Sequence, residues 1–207
     1  MEKSAVMWNV RPAVVAIVRA AVTVGLIAGI SGIAGAQPAV GYEYRVLATN
    51  KTSTMEKELN QAAETGFRFQ AVMGGDTANG GSEVIVVMVR ASNVKAQVAY
   101  KLLATSKTST MEKELREAAA SGFEYRGQTV FKSAFGGEEV VCILERDGGA
   151  GARRSSYRLL ATTRTSTLQE ELQKVGAAGY VLMGMTVGKT AMGGKEMVAI
   201  MRRAEEP

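Results

Sequence analysis

Three stretches of this chain are near copies of one another: Tyr44-Arg45-Val46-Leu47-Ala48-Thr49, Tyr100-Lys101-Leu102-Leu103-Ala104-Thr105 and Tyr157-Arg158-Leu159-Leu160-Ala161-Thr162. Their tyrosines stand 56 and 57 residues apart, and after each stretch a cation (Lys51, Lys107, Arg164) leads into Thr-Ser-Thr. The match runs on through a whole copy, so the chain is an internal triplication. Within the first stretch Tyr44, Val46 and Ala48 face one way and Arg45, Leu47 and Thr49 the other. That period of two is a strand.

A helical pattern follows in each copy. Met55, Leu59, Ala62 and Ala63 form an apolar stripe in the first, Met111, Leu115, Ala118 and Ala119 in the second, and Leu168, Leu172 and Val175 in the third. The i, i+4, i+7 spacing covers one face of about three turns. Ser53 with Glu56, Ser109 with Glu112 and Ser166 with Gln169 have the spacing of a capping box, which predicts the helix starts. Gly66, Gly122 and Gly179 stand where a left-handed residue ends a helix. The aromatic residue after each (Phe67, Phe123, Tyr180) is expected to fold back onto the stripe.

A second strand begins at that aromatic. A glycine-rich hairpin, with Gly74-Gly75 and Gly80-Gly81, Gly136-Gly137 or Gly193-Gly194, carries the chain into a third strand. The third strand is the most apolar: 84–89, 140–144 and 197–201. It opens on Glu83, Glu139 or Glu196 and closes on Arg90, Arg146 or Arg202. A strand apolar on both faces belongs in the middle of a sheet, so the predicted order is 2-3-1, with the helix over one face. The fold class is α+β: three tandem β-α-β-β units at 42–91, 98–147 and 156–203. A flexible linker is read at 148–155. One helix covers one sheet face only, and each copy is too short to stabilise its own core. The copies are therefore expected to pack through their open sheet faces, within the chain or by self-association.

The first 36 residues differ in composition. Lys3, Arg11 and Arg19 precede an apolar run, Ala20 to Ala36, that ends Ala34-Gly35-Ala36. Basic, apolar and A-x-A segments in that order describe a secretory signal peptide, with translation starting at Met1 or Met7. The expected location is periplasmic or secreted. Uncleaved, the same segment would be a membrane anchor, although it is shorter than the ~20 apolar residues that span a bilayer. Its removal takes away three basic residues and one acid, leaving the net charge two below +5. So small a charge makes nucleic acid an unlikely partner.

The motif resembles DUF4177, a small bacterial domain of unknown function. The third copy carries it best, in Tyr157-Arg158-Leu159-Leu160, Leu168-Gln169-Glu170-Glu171-Leu172, Gly176-Ala177-Ala178-Gly179-Tyr180 and Ala199-Ile200-Met201-Arg202. The copies depart from that family in their Thr-Ser-Thr and in having Phe or Tyr where it commonly has Trp. The resemblance covers nearly all of 42–203; it implies the β-α-β-β fold and brings no chemistry. The order of elements is also similar to that of dodecins, small flavin-storing shells, without ligand residues that can be placed here.

Histidine is absent and cysteine occurs once, so zinc, haem and disulfides lose their usual ligands. No cofactor is expected. Cys142 aligns with Val86 and Ala199 in the apolar strand and reads as a core residue. Gly188-Lys189-Thr190 lacks the earlier glycine of a phosphate loop and sits between strands, where that chemistry needs a strand feeding a helix. The segments Lys51-Thr52-Ser53, Lys107-Thr108-Ser109 and Arg164-Thr165-Ser166 are the candidate sites. Each places a cation, hydroxyls and free helix N–H groups together, as an anion site does. The same residues also read simply as helix caps. The expected function is an exported, non-catalytic module that binds a protein or a small anionic ligand. An atypical enzyme using Thr, Lys and Glu groups between copies is the alternative.

Overall fold

The triplication folds as three β-α-β-β units. The computed structural model describes residues 41–77, 81–92, 97–132, 138–148, 154–189 and 194–205. The export segment read at 1–36 and the centre of the linker lie outside these residues, as do the hairpin glycines Gly80, Gly136, Gly137 and Gly193. The first unit is β1 (Tyr42–Thr49), α1 (Thr52–Glu64), β2 (Arg68–Thr77) and β3 (Gly81–Ala91). The second is β4 (Val98–Thr105), α2 (Thr108–Ala120), β5 (Glu124–Lys132) and β6 (Glu138–Asp147). The third is β7 (Ser155–Thr162), α3 (Thr165–Ala177), β8 (Val181–Lys189) and β9 (Lys195–Ala204). Every sheet is antiparallel with its most apolar strand in the centre: β1-β3-β2, β4-β6-β5 and β7-β9-β8.

Registers repeat from unit to unit. Tyr44 faces Val89, Tyr100 faces Glu145 and Tyr157 faces Arg202. The same bulge interrupts each outer strand, between Phe69 and Ala71, Tyr125 and Gly127, and Leu182 and Gly184. Each helix ends as its sequence predicts. Gly66, Gly122 and Gly179 have φ of 87°, 79° and 83°. The N–H of Phe67 donates back to Ala62 O at 3.1 Å and that of Gly66 to Ala63 O at 2.8 Å, a paired closure repeated in the other copies.

Two sequence assignments need correction. The arginine closing the third copy's central strand is Arg203, not Arg202. Arg90, Arg146 and Arg203 stack over Phe67, Phe123 and Tyr180 at 4.7, 4.7 and 4.8 Å from the ring centres. Each also donates to the carbonyl at its helix end: Thr65, Ser121 or Ala178. Adjacent arginines hid the one-residue offset. Gly74 and Gly75 belong to β2 rather than to the hairpin. A Cβ on Gly74 would strike the carbonyl of Val130, so what the sequence shows as turn glycine is a close approach of two strands.

The copies stack in one direction as a single compact unit. One core joins Met55, Leu59, Ala62 and Ala63 of α1 to Val84, Val86 and Met88 of its own sheet, and also to Tyr100, Val141 and Ile143 of the next. Likewise α2 lies between Leu103, Val140, Cys142 and Leu144 on one side and Tyr157 and Ile200 on the other. The open faces of the second and third sheets therefore seat on the preceding copy's helix, and not on another open sheet. Among the described residues the core of α3 draws only on its own sheet, through Leu160, Ala199 and Met201. Complete burial of Met55 and Leu59 contributes about 1.5–3 kcal/mol for each side chain, and Tyr100, Val141 and Ile143 of the neighbouring copy complete their enclosure. Beyond the helices the outer strands touch directly, Phe69 over Gly127 and Tyr125 over Gly184.

Candidate functional site

The Lys/Arg-Thr-Ser-Thr segments join the first strand of each copy to its helix. The hydroxyl closing the strand turns the chain: Thr49 Oγ1 accepts from Lys51 N at 3.2 Å, Thr105 from Lys107 at 3.1 Å and Thr162 from Arg164 at 3.3 Å. Lys51, Lys107 and Arg164 are thus the last extended residues, and they occupy the N-cap position without a side-chain cap. Ser53, Ser109 and Ser166 lie inside the first turn, exposed. The capping-box reading fails for this reason. The helix starts two residues earlier than the box requires, and the threonine before the cation takes over the local hydrogen bonding.

The acids of the supposed boxes have another task. Glu56 Oε2 accepts from the N–H of Leu102 at 2.8 Å, and Glu112 Oε2 from that of Leu159 at 3.2 Å. One turn further on, the Asn60 amide exchanges two bonds with the backbone of Tyr100, at 3.0 and 2.9 Å. Arg116, in the equivalent place, donates to Tyr157 O at 3.5 Å and pairs with Glu112. Helix side chains thereby satisfy the free edge of the next copy's first strand, which would otherwise offer itself to any passing strand.

Lys51, Thr52 and Ser53, like Lys107, Thr108 and Ser109 or Arg164, Thr165 and Ser166, stay at the start of their own helix. In the second copy Lys107 and Thr108 line a narrow cleft with Glu138, Glu139 and Glu196. Its solvent-accessible volume is only about 10 Å³, roughly the room of one water. Three carboxylates around so small a space oppose an anion there. A wider groove of about 360 Å³ lies between Ala63, Val98 and Arg146, and one of about 660 Å³ between α2 and the third sheet. The larger brings together Arg116, Arg154, Arg158, Ser156 and Glu205, with Ser156 Oγ donating to Glu205 Oε1 at 2.5 Å. Sequence reading missed it. The available signal was Arg116 standing where the first copy has Asn60.

Sequence reading also missed a buried polar cluster between the first two copies. Glu145, 2% exposed, accepts from Arg68 at 2.5 Å, from Arg126 at 2.9 Å and from Tyr100 Oη at 2.6 Å. Tyr100 Oη in turn accepts from Phe69 N at 2.7 Å. Tyr157 Oη accepts from Tyr125 N in the same way, at 2.8 Å. The next junction carries the ion pair with its charges exchanged, Glu124 facing Arg202 at 3.7 Å. Charges standing in an otherwise apolar central strand were the sign of it.

Burial pushes the phenols of Tyr100, Tyr125 and Tyr157 and the thiol of Cys142 above their ordinary values of 10.0 and 9.0, and at Tyr100 the hydrogen bond to Glu145 adds to the effect. Cys142 is therefore an unreactive core thiol. Raised folded values mean that these groups bind protons more tightly folded than unfolded. Their contribution is complete below about pH 9 and is lost as pH rises through the folded values. Urea midpoints should hold up to about pH 9 and fall by pH 11, with a loss of up to ~1.4 kcal/mol for each group and pH unit. A midpoint unchanged at pH 11 would contradict the burial of these phenols.

Among the described residues no group of three His, Cys, Asp or Glu side chains is placed to hold a metal. Comparison with family models, with curated proteins and with solved structures finds no match.

Proposed function

We propose that this chain is an exported, non-catalytic interaction module that presents apolar faces to protein partners. One observation carries the reading. The exposed large apolar side chains gather at the two ends of the stack: Tyr42, Tyr44, Val46 and Met73 on the first sheet, and Val181, Leu182, Met185 and Val187 on the last outer strand. Apolar side chains clustered in this way, rather than scattered singly, mark association surfaces. Export is supported by the basic, apolar and A-x-A order of residues 1–36, with periplasm or secretion as its destination. Among the described residues no helix is long and apolar enough to cross a membrane. The likeness to DUF4177 belongs to the same proposal and supports the fold alone. Binding of a small anion is a second reading, for which the groove at Arg116, Arg154 and Arg158 is the support.

A photoreactive amino acid placed in the producing cell at Val46, at Val187 or at solvated Lys113 tests the interaction reading. Protein adducts are expected from the first two positions and not from the third. Equal adducts from all three, or none from any, would overturn it.

A further inference from the structure

Each junction inside the chain is built from the same parts. The outer face of one helix and its outer strand meet the open face and first strand of the next sheet. Among the described residues two such faces have no counterpart: the open face of β1-β3-β2 and the outer side of α3 and β8. They lie at opposite ends of the stack, so a single chain cannot join them.

Position by position, the two faces are the halves of a third junction. Phe69 rests over Gly127 and Tyr125 over Gly184; at the ends the equivalent residues are Leu182 and Ala71, a smaller side chain opposite a larger floor. Arg68 meets Glu145 and Glu124 meets Arg202; at the ends the equivalents are Val181 and Val89, an apolar pair in place of the charges. Asn60 and Arg116 bind the backbone of Tyr100 and Tyr157; Gln173 on α3 holds that place, exposed, and Tyr44 presents the matching backbone. Gln169 stands where Glu56 and Glu112 accept from Leu102 and Leu159, and Val46 supplies the matching N–H. The key tyrosine falls from 66% exposed at position 44 to 3% and 2% at 100 and 157, where a preceding copy covers it. Two of these substitutions are answered at the other end: Leu182 by Ala71, and Val181 by Val89.

We propose that this chain associates head to tail with a second copy of itself, α3 and β8 of one copy seating on the open β1-β3-β2 face of the next in the geometry of the internal junctions. The inference rests on the interaction reading above and names its partner. The contact is heterologous, so it continues into a closed ring or a filament according to the rotation between successive copies.

Sedimentation of the purified protein tests it, with Val46→Glu blocking one face and Leu182→Glu the other. Both side chains are exposed in the single chain, so both variants should fold, and should melt as the parent does once it is diluted to monomer. The parent should sediment as an assembly, each variant as a monomer, and an equal mixture of the two as a dimer and nothing larger, since only one intact junction can form. A parent that stays monomeric at concentrations where the variants are monomeric would overturn the proposal. Assembly surviving in Leu182→Glu alone would overturn it too, because two open sheet faces would then be pairing symmetrically. Photo-adducts at Val46 and Val187 with a different protein, beside a monomeric parent, would end the head-to-tail model while leaving the interaction reading intact.

Discussion

Gly184→Val should lower the stability of the chain by about 3 kcal/mol or more and detach the third copy from the second. A Cβ at position 184 would lie within the van der Waals envelope of Tyr125 Oη and 3.1 Å from Tyr125 Cζ. The ring cannot easily retreat. It is 5% exposed, its hydroxyl donates to Gln128 Oε1 at 3.3 Å, and its backbone N–H is held by Tyr157 Oη. Forcing extra atoms into such a core typically costs 1–3 kcal/mol, and valine adds two methyl groups beyond the first clash. Gly176→Ala is the matched control. A Cβ there meets nothing within 4 Å, and the position lies in α3, where alanine favours the helix by roughly 0.5–1 kcal/mol. Chemical denaturation of both variants gives the comparison. Equal stability of Gly184→Val and the parent would mean that β5 and β8 do not meet as described.

Arg68→Ala combined with Arg126→Ala should be nearly as damaging, at about 2–4 kcal/mol. Glu145 would remain in the core with only the Tyr100 hydroxyl as a partner. Breaking a buried pair typically costs 3–5 kcal/mol, and the lower figure allows for guanidinium groups that are 38% and 37% exposed. Adding Glu145→Val to the same protein should recover most of the loss, because removing every charge leaves nothing to solvate. A triple variant no more stable than the double would show that the cost lay elsewhere. The exchanged ion pair, Arg68 with Glu145 and then Glu124 with Arg202, also fixes the order of the copies. A face carrying Val181 cannot satisfy a buried Glu145, so no copy can take its neighbour's place.

Local pattern was enough to read each unit from its residues. Alternation in Tyr44 to Thr49, the stripe Met55-Leu59-Ala62 and the left-handed Gly66 are properties of short segments, and short-range sterics and burial fix them wherever the chain goes. The central place of β3, β6 and β9 was also legible, because a strand apolar on both sides has only one position in a three-stranded sheet. Contacts between copies were not legible in this way. Ser53 and Glu56 have the spacing of a cap, yet Glu56 binds Leu102, 46 residues on, since the free edge of β4 competes for the same carboxylate. Gly74 looks like a hairpin glycine, and Gly127 and Gly184 give no local signal, until the neighbouring strands arrive above them. Glu145 stands next to an apolar run with no local partner, and its partners Arg68 and Tyr100 are brought to it only by the stacking of the copies. What the triplicated sequence determined by itself was the unit and its number of copies; their stacking in one direction, helix onto the next sheet, was decided only by the tertiary structure, because the partners that satisfy each edge and face belong to another copy, such as Tyr100, 31 residues beyond Phe69 and 40 beyond Asn60.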